Sequence, residues 1–169
     1  MARCSVRSFT DQAVSAEVMQ NILCAAMQAP SALGRRPWEF IVVDKPDLCR
    51  ILADMSPYAK PAAAAAAVII NCVDMNRANP DEEAKQWWIQ DMAACTENEL
   101  IQIATEGLGG VWLGCYPKED RIAHVQECLI LPQNLIPFSL VALGYPSHAV
   151  TAKSQFQKER VHWNGYSAY

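Results

Sequence analysis

Apolar residues recur along this chain at two different spacings, and the switches between them mark out its elements. Val18, Ile22, Ala25 and Ala26 fall on one face at steps of three and four, which predicts a helix. Ser15 is its N-cap, since its hydroxyl accepts an orphan amide, Val14 is placed to staple onto Met19, and Pro30 stops the helix. Phe40 to Val43 is a continuous apolar run bounded by turn residues, which predicts a buried strand. Asp44 and Asp47 open a second helix with the short stripe Leu48, Ile51 and Leu52, ended by Ser56-Pro57. Alanines 62 to 67 favour helix by propensity, but they merge into Val68 to Val73, whose β-branched content predicts a strand from about Ala66. Ile122 and Val125 make a short helix of Lys118 to Cys128, and Phe138 to Leu143 is the next strand, closed by Gly144-Tyr-Pro146.

The longest pattern runs from Asn79 to the glycine cluster at Gly107. Asn79, Pro80 and Glu82 have the spacing of an N-cap, a first helical residue and a capping-box partner. Ile89, Ala93, Thr96, Leu100, Ile103 and Gly107 keep one seam in register, so a helix of roughly 40 Å is predicted. Two readings fit such a length. Trp87 and Trp88 at one end and small Ala93, Ala94 and Cys95 in the middle suit a helix that meets a partner subunit; they equally suit a buried core helix. The uneven order of helices and strands points to an α+β or mixed α/β arrangement rather than a regular parallel repeat.

Composition narrows the function classes. A chain of 169 residues, 51% hydrophobic, supports one domain over residues 1–169 with a substantial core. Its formal net charge of −4 argues against a nucleic-acid surface, because phosphate neutralisation needs a basic face. The longest apolar run, Ala62 to Ile70, falls far short of the ~20 residues of a bilayer span. The start Met-Ala-Arg-Cys-Ser-Val-Arg lacks the apolar core of a signal peptide, and seven cysteines without a Cys-x-x-Cys pair read as reduced core thiols. A cytoplasmic protein with no membrane contact is therefore expected. His124, His148 and His162 are scattered without zinc-ligand spacing, so no metal site is assigned.

Three stretches carry candidate chemistry. Arg3, Ser5 and Arg7 alternate, so an extended backbone points them the same way as an anion cradle; a solvated terminus is the plain alternative. The loop Ala29 to Trp38 offers Ser31, Gly34, Arg35 and Arg36 between a helix and a strand, where sites concentrate; otherwise it is a surface loop with Trp38 plugging the core. Gly107 to Gly114 follows a helix and has Trp112 where a dinucleotide fingerprint needs its third glycine, so that site is rejected; glycine backbone there can still approach a ligand, and a helix C-cap followed by an ordinary strand is the plain alternative. The tail from Thr151 carries Lys153 but also Phe156, Val161, Trp163 and Tyr166, and those rings need cover from this subunit's sheet or from a second subunit.

Taken in order, Arg3-x-Ser-x-Arg7-x-Phe9, Ala29-Pro-Ser-Ala with Pro37-Trp38, Gln90-Asp91, Gly107 to Gly114, Leu131-Pro132, Ala142 to Pro146 and Val161-His-Trp resemble the nitroreductase family of flavin mononucleotide (FMN) enzymes over nearly the whole chain. The resemblance implies an α+β sandwich, a central mixed sheet flanked by helices, and an intertwined homodimer with the flavins at the subunit interface. It implies that Arg3 and Ser5 hold the flavin phosphate and that Arg7 reaches the ribityl or pyrimidine edge. Pro30, Ser31 and Leu33 would come from the other subunit, Leu113 and Gly114 would give backbone contacts near the reactive edge, Lys153 would approach the phosphate, and Lys60 the pyrimidine side. NADH or NADPH would give hydride to the flavin and leave, and a small acceptor, typically a nitroaromatic or a quinone, would take the electrons in its place. No protein nucleophile or acid is required.

Four positions depart from the usual pattern: Gly34 for asparagine, Arg36 for glutamine, Cys4 for a basic residue and Gln155 for an arginine. They keep open a flavin-binding or regulatory protein without turnover, beside a specialised flavin reductase or enone reductase on the same fold.

Overall fold

In the computed structural model, which describes residues 3–81 and 84–166, the apolar runs become the middle of a sheet. Strands β1 (Trp38–Val43), β2 (Ala67–Asp74), β3 (Gly109–Gly114) and β4 (Leu135–Gly144) pair in the order β1-β2-β4-β3, every pair antiparallel. Central β2 is buried from Ala67 to Val73, so both of its faces must be covered. Val68, Ile70 and Cys72 pack with Leu52 of helix α2 (Pro46–Ala53) and Val125 of α4 (Glu119–Leu129). Ala67, Ile69 and Val73 face the opposite way, towards Ile22 of α1 (Ala16–Met27) and Met92 and Ile103 of α3 (Trp87–Thr105). Strand periodicity thus builds three layers, helices on each side of one sheet, in the α+β class predicted.

The mixed character expected of the sheet is confined, among the described residues, to one parallel bridge between Ser5 and Gly110. Residues near Val6 touch the β3 edge too briefly to form a strand. Helix α1 follows its pattern closely: the Ser15 hydroxyl accepts the Val18 amide at 3.2 Å. The strand predicted from Ala66 begins at Ala67; of the preceding alanines, 62 to 64 lie in a 3-10 turn, Lys60–Ala64, and 65 and 66 link the two.

Helix α3 is shorter than predicted. Asn79 accepts the Asp81 amide at 3.1 Å, Glu82 lies outside the described residues, and the helix starts only at Trp87. Its 19 residues span about 28 Å rather than 40. Packing explains the late start: Trp88 sits edge-on to Tyr116 and Phe138, with ring centroids 4.8 and 6.1 Å away, so the helix begins where this aromatic cluster holds its first turn. The buried face also carries polar Asp91, Thr96 and Glu99 beside Met92, Cys95, Leu100 and Ile103. No helix among the described residues is long and apolar enough to cross a membrane.

Cys49, Cys72, Cys95 and Cys115 are buried free thiols, Cys4 and Cys128 are half-buried, and Cys24 is exposed. Desolvation pushes the Cys72 and Cys115 thiols up to about 12, which keeps them protonated and unreactive.

One polar cluster lies inside this core. Asn71 of β2 donates from Nδ2 to Glu99 at 3.0 Å and to Thr96 and Ser139 at 3.2 Å, and the Thr96 hydroxyl donates to the Met92 carbonyl at 2.7 Å. Burial pushes the Glu99 carboxyl up from 4.5 to about 8, so the folded protein holds it neutral. Between those values the unfolded chain releases a proton that the folded chain keeps. The stability this group contributes is therefore complete below about 4.5 and is lost as pH rises towards 8. Glu99→Gln, a permanent mimic of the neutral acid, should flatten this part of the pH profile in urea unfolding. An identical pH slope in parent and variant would show that Glu99 titrates as an ordinary carboxylate.

Candidate functional site

The chain from Cys4 to Thr10 lies along the open edge of β3 and the end of β4. Val6 donates its amide to the Gly110 carbonyl at 3.0 Å, and Thr10 donates to the Tyr145 carbonyl at 2.8 Å. Gly109 makes this approach possible, since a Cβ there would stand 2.6 Å from the Val6 Cβ. Arg7, exposed where Val6 is buried, lines a groove of about 350 Å³ between Ser56 to Tyr58 and Val111 to Gly114. No carboxylate pairs with Arg7 among the described residues.

Strand period decides which backbone groups face this groove. The Gly110 carbonyl points away from β4, so those of Trp112 and Gly114 point the same way, while Leu113 turns its amide and carbonyl to β4. Arg121 of α4 takes the Gly114 carbonyl at 2.7 Å. That leaves the Trp112 and Gly114 amides on the open edge, and Gly114 has nothing within 4 Å of where a Cβ would stand. Leu113 contributes a buried side chain to the wall of the groove.

A second groove, of about 440 Å³, lies on another face between the loop after α1 and the first turns of α3. Pro30, Ser31 and Ala32 form one wall, Trp87, Gln90, Asp91 and Ala94 the other. Asp91 is 6% exposed and accepts the Ala32 amide on Oδ1 at 2.9 Å. Desolvation raises its pKa, and that backbone hydrogen bond opposes the rise. In the adjoining turn Leu33, Gly34 and Arg36 all have positive φ, 52°, 65° and 47°. Gly34 suits its place for the reason asparagine would, tolerance of the left-handed region. The Ser31 hydroxyl accepts the Arg36 amide at 2.9 Å and holds the turn closed.

Within this one chain the predicted residues therefore divide. Arg7, Leu113 and Gly114 share the β3 groove; Pro30 and Ser31 share the α3 groove, with Leu33 exposed on the adjoining turn. Arg3 leans on α3, its Nε 3.7 Å from Glu97 Oε1, and Ser5 is exposed at its bridge to Gly110. Lys60 extends its Nζ to Asp54 at 3.0 Å, an exposed pair of the kind that contributes little. Lys153 lies in the exposed tail, apart from both grooves.

Arg121 was not a candidate from sequence, and Asp91 was named only within the Gln90-Asp91 motif, without a role. Arg121 had no signal, because its partner is a backbone atom seven residues away. Asp91 had one, a carboxylate one turn from Trp88 and from Cys95 on an apolar face.

The nitroreductase family model matches residues 1–145. The chain belongs to the nitroreductase family. A Methanothermobacter thermautotrophicus protein, provisionally named NADH dehydrogenase/NAD(P)H nitroreductase, is 36% identical over 160 residues, covering 95% of this chain and 82% of that one. A Clostridium acetobutylicum structure, provisionally an NADH oxidase, is 36% identical with a TM-score of 0.90, covering 97% of each chain. A Desulfovibrio desulfuricans structure, provisionally a nitroreductase and solved in complex with FMN, is 28% identical with a TM-score of 0.78, covering 98% of this chain and 94% of that one. As in other nitroreductase-family chains, the fold described here is α+β.

The β3 edge makes a contrasting pair of glycine substitutions. Gly109→Ala should cost about 1–3 kcal/mol in urea unfolding, because Val6 must be displaced, and should speed amide exchange at Val6. Gly114→Ala meets open space and should change stability by less than about 0.5 kcal/mol. Equal effects would mean that Val6 does not lie against Gly109 in solution.

Proposed function

We propose that this nitroreductase-family chain is an FMN-dependent oxidoreductase that uses NADH or NADPH to reduce small acceptors such as nitroaromatics or quinones. The observation that carries the proposal is the β3 groove: an arginine with no carboxylate partner among the described residues, two outward amides and an open glycine, at the edge of the sheet. Such a set fits a flat, hydrogen-bonding ring system that gains negative charge. When bound, FMN supplies hydride chemistry, accepting from the nicotinamide and passing electrons on.

The chain's residues bind, orient and compensate charge. Arg7 stabilises the negative charge of the reduced ring, while the amides of Trp112 and Gly114 orient its edge. Arg3, once released from its half-exposed pair with Glu97, and Ser5 hold the phosphate, with Lys153 arriving from the tail. Lys60 serves the pyrimidine side. No side chain acts as nucleophile or acid.

The α3 groove is the complementary half of this site in a second copy. Pro30, Ser31 and Leu33 of one subunit meet the β3 groove of its partner, which is why the two sets lie on different faces of one subunit. Phe156, Trp163 and Tyr166 are 75%, 85% and 86% exposed in the isolated subunit, apolar surface that a homodimer covers. A flavin-binding or regulatory protein without turnover is the second reading, resting on the departures Gly34, Arg36, Cys4 and Gln155 from the family pattern.

A yellow preparation that NADH or NADPH bleaches without oxygen is the expected result; a colourless one, or a yellow one that stays yellow, defeats the enzyme reading. Sedimentation at micromolar concentration should show a dimer. A monomer of about 19 kDa that retains flavin would overturn the shared site. Arg3→Ala should weaken FMN binding by roughly 1.5–3 kcal/mol, the value of a charge-assisted contact, and Ser5→Ala by less. Arg7→Ala should instead lower the flavin reduction potential and slow anaerobic reduction. Parental affinity, potential and rate in all three variants would reduce the cradle to a solvated terminus.

A further inference from the structure

Asp91 is a carboxylate that the reaction above does not use, and it sits where a core helix has no need of charge. It is 6% exposed on α3, 59 residues along the chain from the amide it serves. Among the described residues its one backbone partner is Ala32, in the middle of the turn that carries Ser31 and Leu33. That turn is costly to hold. Leu33 and Arg36 occupy left-handed backbone, where residues with a Cβ are disfavoured, and Leu33 is 76% exposed with no core contact to offset the strain. Among the described residues the other hydrogen bonds of the turn are internal: Gly34 N to Ser31 O at 3.0 Å, Arg35 N to Ala32 O at 3.1 Å and Arg36 N to Ser31 Oγ at 2.9 Å. These close the turn on itself without fixing it to the body of the protein. The Ala32–Asp91 bond supplies that attachment.

We propose that Asp91 is a positioning residue for the flavin site, pinning the 31–36 turn to α3 so that Ser31 and Leu33 are presented to the cofactor in one preset conformation. The inference rests on the FMN reading above. Preorganisation of this kind raises affinity by removing an ordering cost at binding rather than by adding a contact. A carboxylate serves better than a neutral side chain because a hydrogen bond to a charged acceptor is the stronger kind.

The test compares Asp91→Asn, which keeps an acceptor oxygen, with Asp91→Leu, which has none, in the full-length protein. Asn98→Leu is the comparator: it removes another tie of α3, the Asn98 Nδ2 bond to the Ala25 carbonyl at 3.0 Å, outside the turn. FMN affinity is read by quenching of flavin fluorescence, global stability by thermal melting, and the turn itself by amide exchange at residues 32–36 of the flavin-free protein. Asp91→Leu should weaken FMN binding about tenfold or more and speed exchange in the turn, Asp91→Asn should stay within about threefold of the parent, and Asn98→Leu should lower the melting temperature without changing FMN affinity. If Asp91→Leu does not fold, Asp91→Ala, which also lacks an acceptor and adds no bulk, takes its place with the same expected values.

An Asp91→Leu protein with parental FMN affinity, or with unchanged exchange in the turn, overturns the inference. So does a loss of affinity matched by Asn98→Leu, because the effect would then be general destabilisation. Failure of the FMN reading itself is distinguishable: the parent would bind no FMN in the same titration, and the flavin-directed role would fall with it.

Discussion

A single asparagine side chain in the middle of the sheet ties helix α3 to the strands beneath it. β2 is buried on both faces, so any polar group on it must find its partners inside the protein. Asn71 finds them on two elements at once, Thr96 and Glu99 on α3 and Ser139 on β4. Because the bonds are directional and Asn71 stands at one register of the β1–β2–β4 pairing, they set both the rotation of α3 and its position along the sheet. Hydrophobic burial alone, being non-directional, would leave that position loosely specified. The cost is a carboxyl kept neutral by burial, and Asn71 Oδ1 and Glu99 Oε1 without hydrogen-bond partners.

What α3 positions follows from that register. Two turns before Glu99 the same buried face carries Asp91, and the loop after α1 is attached there. At the other end of the helix the chain turns through Gly107, φ 75°, into β3, which lies against the same helix through Gly110 and Ile103. The two grooves are therefore linked through one rigid helix although they lie on different faces. A shift of α3 along the sheet would move both.

The β3 edge shows how a protein leaves backbone available without inviting aggregation. An edge strand exposes a row of amides and carbonyls that other strands can pair with. Here Val6 covers Gly110, Arg121 caps Gly114, and Arg7 places a charge beside what is left. The remaining amides form a short polar strip, suited to a small flat ligand and too short to template another strand.

The apolar pattern by itself determined the types of the four helices and of β1, β2 and β4, the α1 cap at Ser15, the β2 start near Ala67 and the α+β class, because these depend on local spacing and on which residues water excludes; glycine-rich β3 was only the plain alternative to a ligand-facing loop. Motif order along the chain was enough to identify the family, since a run of short local signatures survives in sequence even when each alone is weak. The beginning of α3 was not legible: Asn79 and Pro80 have the local chemistry of a helix start, but the burial of Trp88 against Tyr116 and Phe138 outweighs it. Nor was the division of the site legible, because alternation places Arg3, Ser5 and Arg7 on one side without saying what stands there. Only the tertiary structure decided that Arg3 meets Glu97, that Arg7 faces an open strand edge and that Asp91 holds the Ala32 amide, since each joins residues dozens of positions apart whose distance is set by sheet register and helix packing.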